Sequence, residues 1–146
     1  MSAMTWVRPI AAFLAVVTLS SLALSGCADS GAIERVQGTW VLVAGQDARG
    51  EFIESATHVT LDIEGDAFSG AGPCNTYSGA LQPEADGLRF GAITSTEMAC
   101  ADPEQLSLEG RYFAALEAVT TGSVIDGELV LRGGEVELRY GGDAEE

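Results

Sequence analysis

From residue 57 the chain alternates. Val59, Leu61 and Ile63 fall on one side of an extended segment, and His58, Thr60 and Asp62 fall on the other. That is the period-two signature of a strand with one buried face. Gly65-Asp66 supplies a two-residue turn, which sets Ile63 opposite Phe68 on the same apolar face. Residues 77–81 and 88–90 predict a second hairpin, turned around residues 83–87. An earlier strand covers residues 40–43, opened by Gly38-Thr39-Trp40, and residues 45–56 read as a loop. Gly133-Gly134 predicts a closing hairpin turn. It places Arg132 opposite Glu135, Leu131 opposite Val136 and Leu129 opposite Leu138, so that charges pair on one face and apolar groups on the other.

One segment departs from period two. Residues 103 to about 120 predict a helix, with Asp102 as N-cap, Pro103 at the first position and Gln105 at the third. Leu106, Phe113 and Leu116 form one stripe, with Tyr112 and Val119 beside it. Glu104, Glu109, Arg111 and Glu117 take the remainder, so the helix is amphipathic and lies on a core. An aromatic stripe at this spacing is read as core rather than as a ligand pocket. The short turns argue for antiparallel neighbours. The predicted fold is therefore α+β: a curved antiparallel sheet or partly open small β-barrel with one amphipathic helix.

The N-terminus follows a different pattern. Residues 9–28 carry no charge, only Arg8 precedes them, and the apolar centre at 10–24 is rich in Ala, Leu and Val. A basic start, a short apolar run and small residues before a cut site describe a secretory signal. A membrane-spanning helix needs about 20 apolar residues, and Thr18, Ser20 and Ser21 dilute this shorter run. Leu24-Ser25-Gly26-Cys27 resembles the lipobox of bacterial lipoproteins. Cleavage before Cys27 would leave its thiol to carry lipid, and two acyl chains anchor stably where one is marginal. The chain accordingly reads as a signal peptide at 1–26, a lipidated Cys27 with a tether to residue 37, one domain at 38–140 and a disordered acidic tail at 141–146. The expected location is the extracytoplasmic face of the cell envelope, held to the membrane through lipid on Cys27.

Charge narrows the partners. Without residues 1–26 the chain keeps all 22 acids and six arginines, and it has no lysine. No basic patch exists for nucleic acid, and electrostatic docking on an anionic membrane is disfavoured. With Cys27 taken by lipid, Cys74 and Cys100 remain as an even pair. In an oxidising compartment a disulfide between them would stabilise the fold by roughly 3 kcal/mol. Free buried thiols and a metal site are the alternatives. The only histidine is His58 and no CxxC or HxxxH spacing occurs, so no metal is expected.

Catalytic signals are missing. His58 is the one imidazole, on the polar side of a strand, with no Ser-His-Asp arrangement around it. No phosphate loop is present, and a chain without lysine cannot supply its Lys. No cofactor is expected and the protein is read as a non-enzyme. Two segments stand out instead: residues 69–79 and 95–100. Gly70, Gly72 and Gly79 imply positive φ angles or close backbone contact. Asn75 can bond to nearby backbone.

These segments carry a resemblance. The pattern Gly-x-Gly-x-Cys-Asn-x-x-x-Gly at 70–79, followed by Ser-Thr-x-Met-Ala-Cys at 95–100 and preceded by Gly-Thr-Trp near residue 38, resembles the META domain of the HslJ-like proteins. Pro73 stands where many members run glycine directly into cysteine. The resemblance covers about residues 38–140. It implies a small α+β barrel-like domain and bacterial envelope lipoproteins linked to heat shock, antibiotic tolerance or motility. It supplies no catalytic residues. Gly70, Gly72, Asn75, Gly79, Thr96 and Met98 match motif positions and are expected to be structural. Together these readings predict a lipid-anchored, non-catalytic envelope protein, a binding or stress-related module for an unidentified envelope protein. The alternative is a carrier holding a lipid or small apolar ligand in a barrel cavity lined by Trp40, Phe68, Phe90 and Phe113.

Overall fold

The computed structural model describes residues 31–52, 58–98 and 100–142. The signal segment, Cys27 and the end of the acidic tail lie outside the described residues. The chain order is α1 (Gly31–Glu34), β1 (Gly38–Asp47), β2 (Gly50–Glu51), β3 (Thr60–Glu64), β4 (Ala67–Ala71), β5 (Thr76–Glu84), β6 (Gly87–Phe90), β7 (Thr94–Ser95), α2 (Pro103–Ala118), β8 (Thr121–Ile125), β9 (Glu128–Gly133) and β10 (Val136–Gly142). The main sheet path is β6-β5-β4-β3-β1-β10-β9-β8, with β2 added to β1 and β7 to β5. Every pairing is antiparallel. The sheet curls until its two ends approach, where the Leu88 amide donates to the Thr120 carbonyl at 3.1 Å. The result is a nearly closed barrel with one unsealed seam, between β6 and β8, and one long helix.

The alternating segment behaves as its pattern dictates. Val59, Leu61 and Ile63 are buried, and Ile63 pairs with Phe68 across the Gly65-Asp66 turn. The last hairpin forms with its turn one residue later than expected. Gly133 pairs with Val136, so Gly134-Glu135 makes the turn and Gly134 takes the left-handed φ of +59°. Arg132 therefore faces Glu137, not Glu135, with a 2.8 Å ion pair. Leu131 faces Leu138 and Leu129 faces Tyr140. The reason is tertiary: Gly133 runs in the strand directly under the Ala118 carbonyl, where a Cβ would collide. The shift moves each partner by two residues, so every side chain stays on its own face.

Three further expectations change. The 45–56 loop is partly strand, since β1 continues to Asp47 and pairs there with β2. Residues 31–37 are no loose tether, because α1 and the turn after it bury Ile33 and Val36. Gln37 then ties this segment to the β3–β4 turn: its amide oxygen accepts from Gly65 N at 2.7 Å and its Nε2 donates to Gly65 O. The third change is at residues 141–142, which extend β10 instead of opening the tail.

Helix α2 closes the barrel. Asp102 caps it, its carboxylate accepting from Glu104 N at 2.8 Å, with Pro103 next. Its inward face is Glu109, Tyr112, Ala115 and Leu116. Leu106, expected in the core stripe, is 56% exposed, and Glu109, expected on the solvent side, is 4% exposed. The first residues of α2, 103 to 107, are exposed, and contact with the core begins with the half-buried Leu108 and with Glu109.

Candidate functional site

The two unusual segments meet around Glu109. The 71–75 turn, closing the gap between β4 and β5, brings three donors to one carboxylate. Glu109 Oε2 accepts from Asn75 N at 2.6 Å and from Cys74 N at 3.0 Å, and Oε1 accepts from Asn75 Nδ2 at 2.7 Å. Asn75 passes the linkage on: its Oδ1 accepts from the Met98 amide at 2.7 Å and from Thr96 Oγ1 at 2.9 Å. Thr96 Oγ1 also accepts from Thr76 N. Cys74 and Cys100 are disulfide-bonded, with Cα atoms 5.9 Å apart. One asparagine and one glutamate thus lock the β4–β5 turn, the segment after β7 and the helix into a single clamp. A carboxylate so enclosed is tolerable because hydrogen bonds to a charged acceptor are the strong ones.

The motif glycines are explained by crowding. None of Gly70, Gly72 and Gly79 has a positive φ. A Cβ on Gly72 would stand 2.9 Å from both Asn75 O and Glu109 Oε2, while one on Gly70 would strike the Thr60 carbonyl and one on Gly79 the Phe68 ring. Met98 contributes its amide; its side chain is 59% exposed.

Beneath the clamp three phenols form a chain. Tyr77 donates to the Thr60 carbonyl at 2.6 Å, so it accepts from Tyr112 at 2.7 Å, and Tyr112 in turn accepts from Tyr140 at 3.1 Å. Burial pushes all three ionisations far up, so the hydroxyls stay protonated donors. Trp40, Phe68 and Phe90, which the carrier reading assigns to a cavity lining, are packed into the core, and Phe68 meets Phe90 edge-on at 4.9 Å between centroids. A separate tie fixes the middle of α2: Arg111 binds the Asp47 carboxylate through two nitrogens at 2.7 and 2.9 Å and lies 4.7 Å over the Phe52 ring. That guanidinium holds the Asp47 carboxyl down to about 2.

The outward face of the same strands is open. A groove of about 550 Å³ runs over β3, β4, β5 and β7. Register defines its floor. Asp62 pairs with Ser69, Ser69 with Ser78, and Ser78 with Thr94, one polar row across four strands. Thr60, Thr76 and Thr96 line it on the clamp side. This surface can donate and accept hydrogen bonds and carries one acid. His58 is exposed and does not line it. Among the described residues no group of three or more His, Cys, Asp or Glu gathers as a metal site requires.

The structure gathers Cys74, Asn75, Thr96 and Met98 around Glu109, a residue the sequence motif does not include. Glu109 was readable in principle, because it shares a helical stripe with Tyr112 and Leu116. The groove had a fainter signal: hydroxyls rather than charges on the outer face of alternating strands.

A nearly closed antiparallel barrel capped by one helix, with a Gly-Asn turn clamped to that helix, defines the class. The META domain profile matches residues 33–143, and the chain belongs to the META domain family. Its fold is similar to that of a protein from Burkholderia xenovorans solved by NMR (TM-score 0.65, 24% identity, covering 80% of this chain and 90% of that one). It is also similar to a DUF4847 family protein from Bacteroides vulgatus (TM-score 0.53, 13% identity, 77% and 96% covered). At these identities the likeness concerns fold alone. No curated protein matches the chain.

Proposed function

We propose that this protein is a non-catalytic binding module of the cell envelope, exported by its N-terminal signal and held at the extracytoplasmic face by lipid on Cys27. The observation that carries the binding role is the hydroxyl-lined groove set beside a rigid clamp. Its floor offers hydrogen bonds from fixed strands, so little entropy is lost in ordering the site when a partner arrives. Two kinds of group that could serve as reactive centres are engaged elsewhere: Glu109 is filled by three donors, and Cys74 and Cys100 are bonded to each other. The lipobox-like Leu24-Ser25-Gly26-Cys27 supports the anchor, and the resemblance to HslJ-like lipoproteins supports a stress-related role.

The test is photo-crosslinking in intact cells from a reactive residue at Ser78, with mass spectrometry of the products. A reproducible envelope protein joined at position 78, and lost when Ser69 and Thr94 are replaced by bulky residues, is expected. Adducts with lipid alone, or partners indifferent to the groove, would overturn the reading. Fatty-acid labelling checks the anchor: wild type incorporates the label, and Cys27→Ala does not.

A further inference from the structure

One edge of the unsealed seam, strand β8, is itself uncharged and ends in exposed apolar residues. The stretch from residue 119 to 125, which contains β8, bears no charge in a chain with 22 acids. Val124 and Ile125, at the end of β8, are 40% and 51% exposed and stand next to each other on the sheet's free edge. Segment 31–37 plugs the other part of the seam: Val36 approaches Gly122 of β8 so closely that a Cβ there would sit 3.0 Å from Val36 Cγ1. Leu88 of β6 lies as near, at 3.2 Å from the same point. The plug is therefore fixed to the barrel, by Ile33 and Val36 in the core and by Gln37 on the β3–β4 turn.

This docking matters for the anchor. Cys27 precedes Gly31 by four residues. Covalent geometry limits that span to about 14 Å, however the intervening residues are arranged. A domain of this size is roughly 30 Å across. Lipid on Cys27 can therefore reach the bilayer only if the α1–β8 side of the domain faces it. Gln37 ties segment 31–37 to the Gly65-Asp66 turn, at one end of β3 and β4, whereas the groove is lined by Thr60, Ala71 and Thr76 at the opposite end of the same strands and points the other way.

We infer that the α1–β8 face is the membrane-contact surface of the anchored domain, with Val124 and Ile125 at the headgroup boundary and the hydroxyl-lined groove directed away from the bilayer. The inference rests on the lipid anchor of the proposed function. Two exposed β-branched side chains at the end of an edge strand, with Asp126 in the turn beside them, suit the headgroup level, and headgroups and interfacial water can satisfy the edge amides and carbonyls that no strand pairs. The net negative charge of the domain opposes deeper insertion.

The test uses the full lipidated protein in phosphatidylcholine vesicles that contain lipids with a nitroxide quencher on the acyl chain. An environment-sensitive fluorophore is attached at Ile125→Cys in one variant and at Ser78→Cys in another, with the native disulfide intact. The expected result is severalfold stronger quenching and a blue-shifted emission at position 125, with neither at 78. A long Gly-Ser insertion between Ser30 and Gly31 should shrink that contrast. Mass spectrometry of Cys27 is read alongside. Lipid present with no preferential quenching at 125 overturns the orientation only. A Cys27 without lipid overturns both the orientation and the anchoring on which it rests. Shielding of position 125 that needs no vesicles and grows with protein concentration would assign the edge to a second copy of the chain and also overturn the orientation.

Discussion

Strand β5 and its neighbours have two sides with opposite uses of polarity. On the inner side Asn75 and Tyr77 are buried, and each polar atom is matched to a named partner. On the outer side Thr76 and Ser78, one residue away in each case, are exposed in the groove. The inner set holds the fold because an unmatched polar group there would cost its full desolvation. The outer set can change partners freely because water replaces any lost hydrogen bond. Residues of similar chemistry are thus divided by strand parity into those that specify structure and those left free to bind.

Mutations should separate the two sides. The largest loss is expected for Glu109→Ala, which leaves three donors unpaired, two of them buried; about 3–5 kcal/mol should disappear from the unfolding free energy in a denaturant titration. Glu109→Gln should recover part of it, because its oxygen can still accept from the turn. Replacing Cys74 and Cys100 together with serine should cost about 3 kcal/mol and lower the melting temperature. Native wild-type protein should show negligible thiol labelling at both positions, and reactive cysteines there would remove the disulfide from the clamp. Tyr112→Phe breaks the middle of the phenol chain and strands the Tyr140 hydroxyl. A loss of about 1–2 kcal/mol is expected in thermal melts.

A smaller effect belongs to Asp47 and is read by pH. Its carboxyl is held down to about 2 in the folded protein, below the ordinary aspartate value of 3.8, because Arg111 binds the charged form. A depressed acid pKa adds stability above the unfolded value and loses it as pH falls toward the folded one. Wild type should therefore lose this contribution between about pH 4 and pH 2, and Arg111→Ala should lack that part of the acid sensitivity. The least stability change is expected for Ser78→Ala, within about 0.5 kcal/mol, together with weaker crosslinking to the partner. If Ser78→Ala destabilised the fold as strongly as Tyr112→Phe, the division between inner and outer faces would fail.

Local chemistry made much of this protein legible. Alternation at 58–63 gave the buried face of β3, Asp102-Pro103 gave the start of α2, and the paired cysteines and Gly-Asn turn pointed to one structural knot. These signals depend on neighbours a few residues apart, so they survive without knowledge of the fold. The knot's acceptor was less visible: Glu109 stands 34 residues from Asn75, and a glutamate on a helix is solvated unless something covers it.

The same reasoning explains the other departures. Whether Gly133-Gly134 or Gly134-Glu135 forms the turn depends on the Ala118 carbonyl pressing on residue 133, which no local pattern encodes. Residues 31–37 look like a tether because they are short, polar and mixed, and they become a plug only because the curled sheet leaves a seam for Ile33 and Val36. Periodicity, capping and turn chemistry act within a few residues, and they were sufficient for the class of fold and the place of the motif. Register at the last hairpin, the burial of Glu109, the near-closure of the barrel and the open groove are settled between segments far apart in the chain, by excluded volume and by the cost of leaving a buried polar group unpaired.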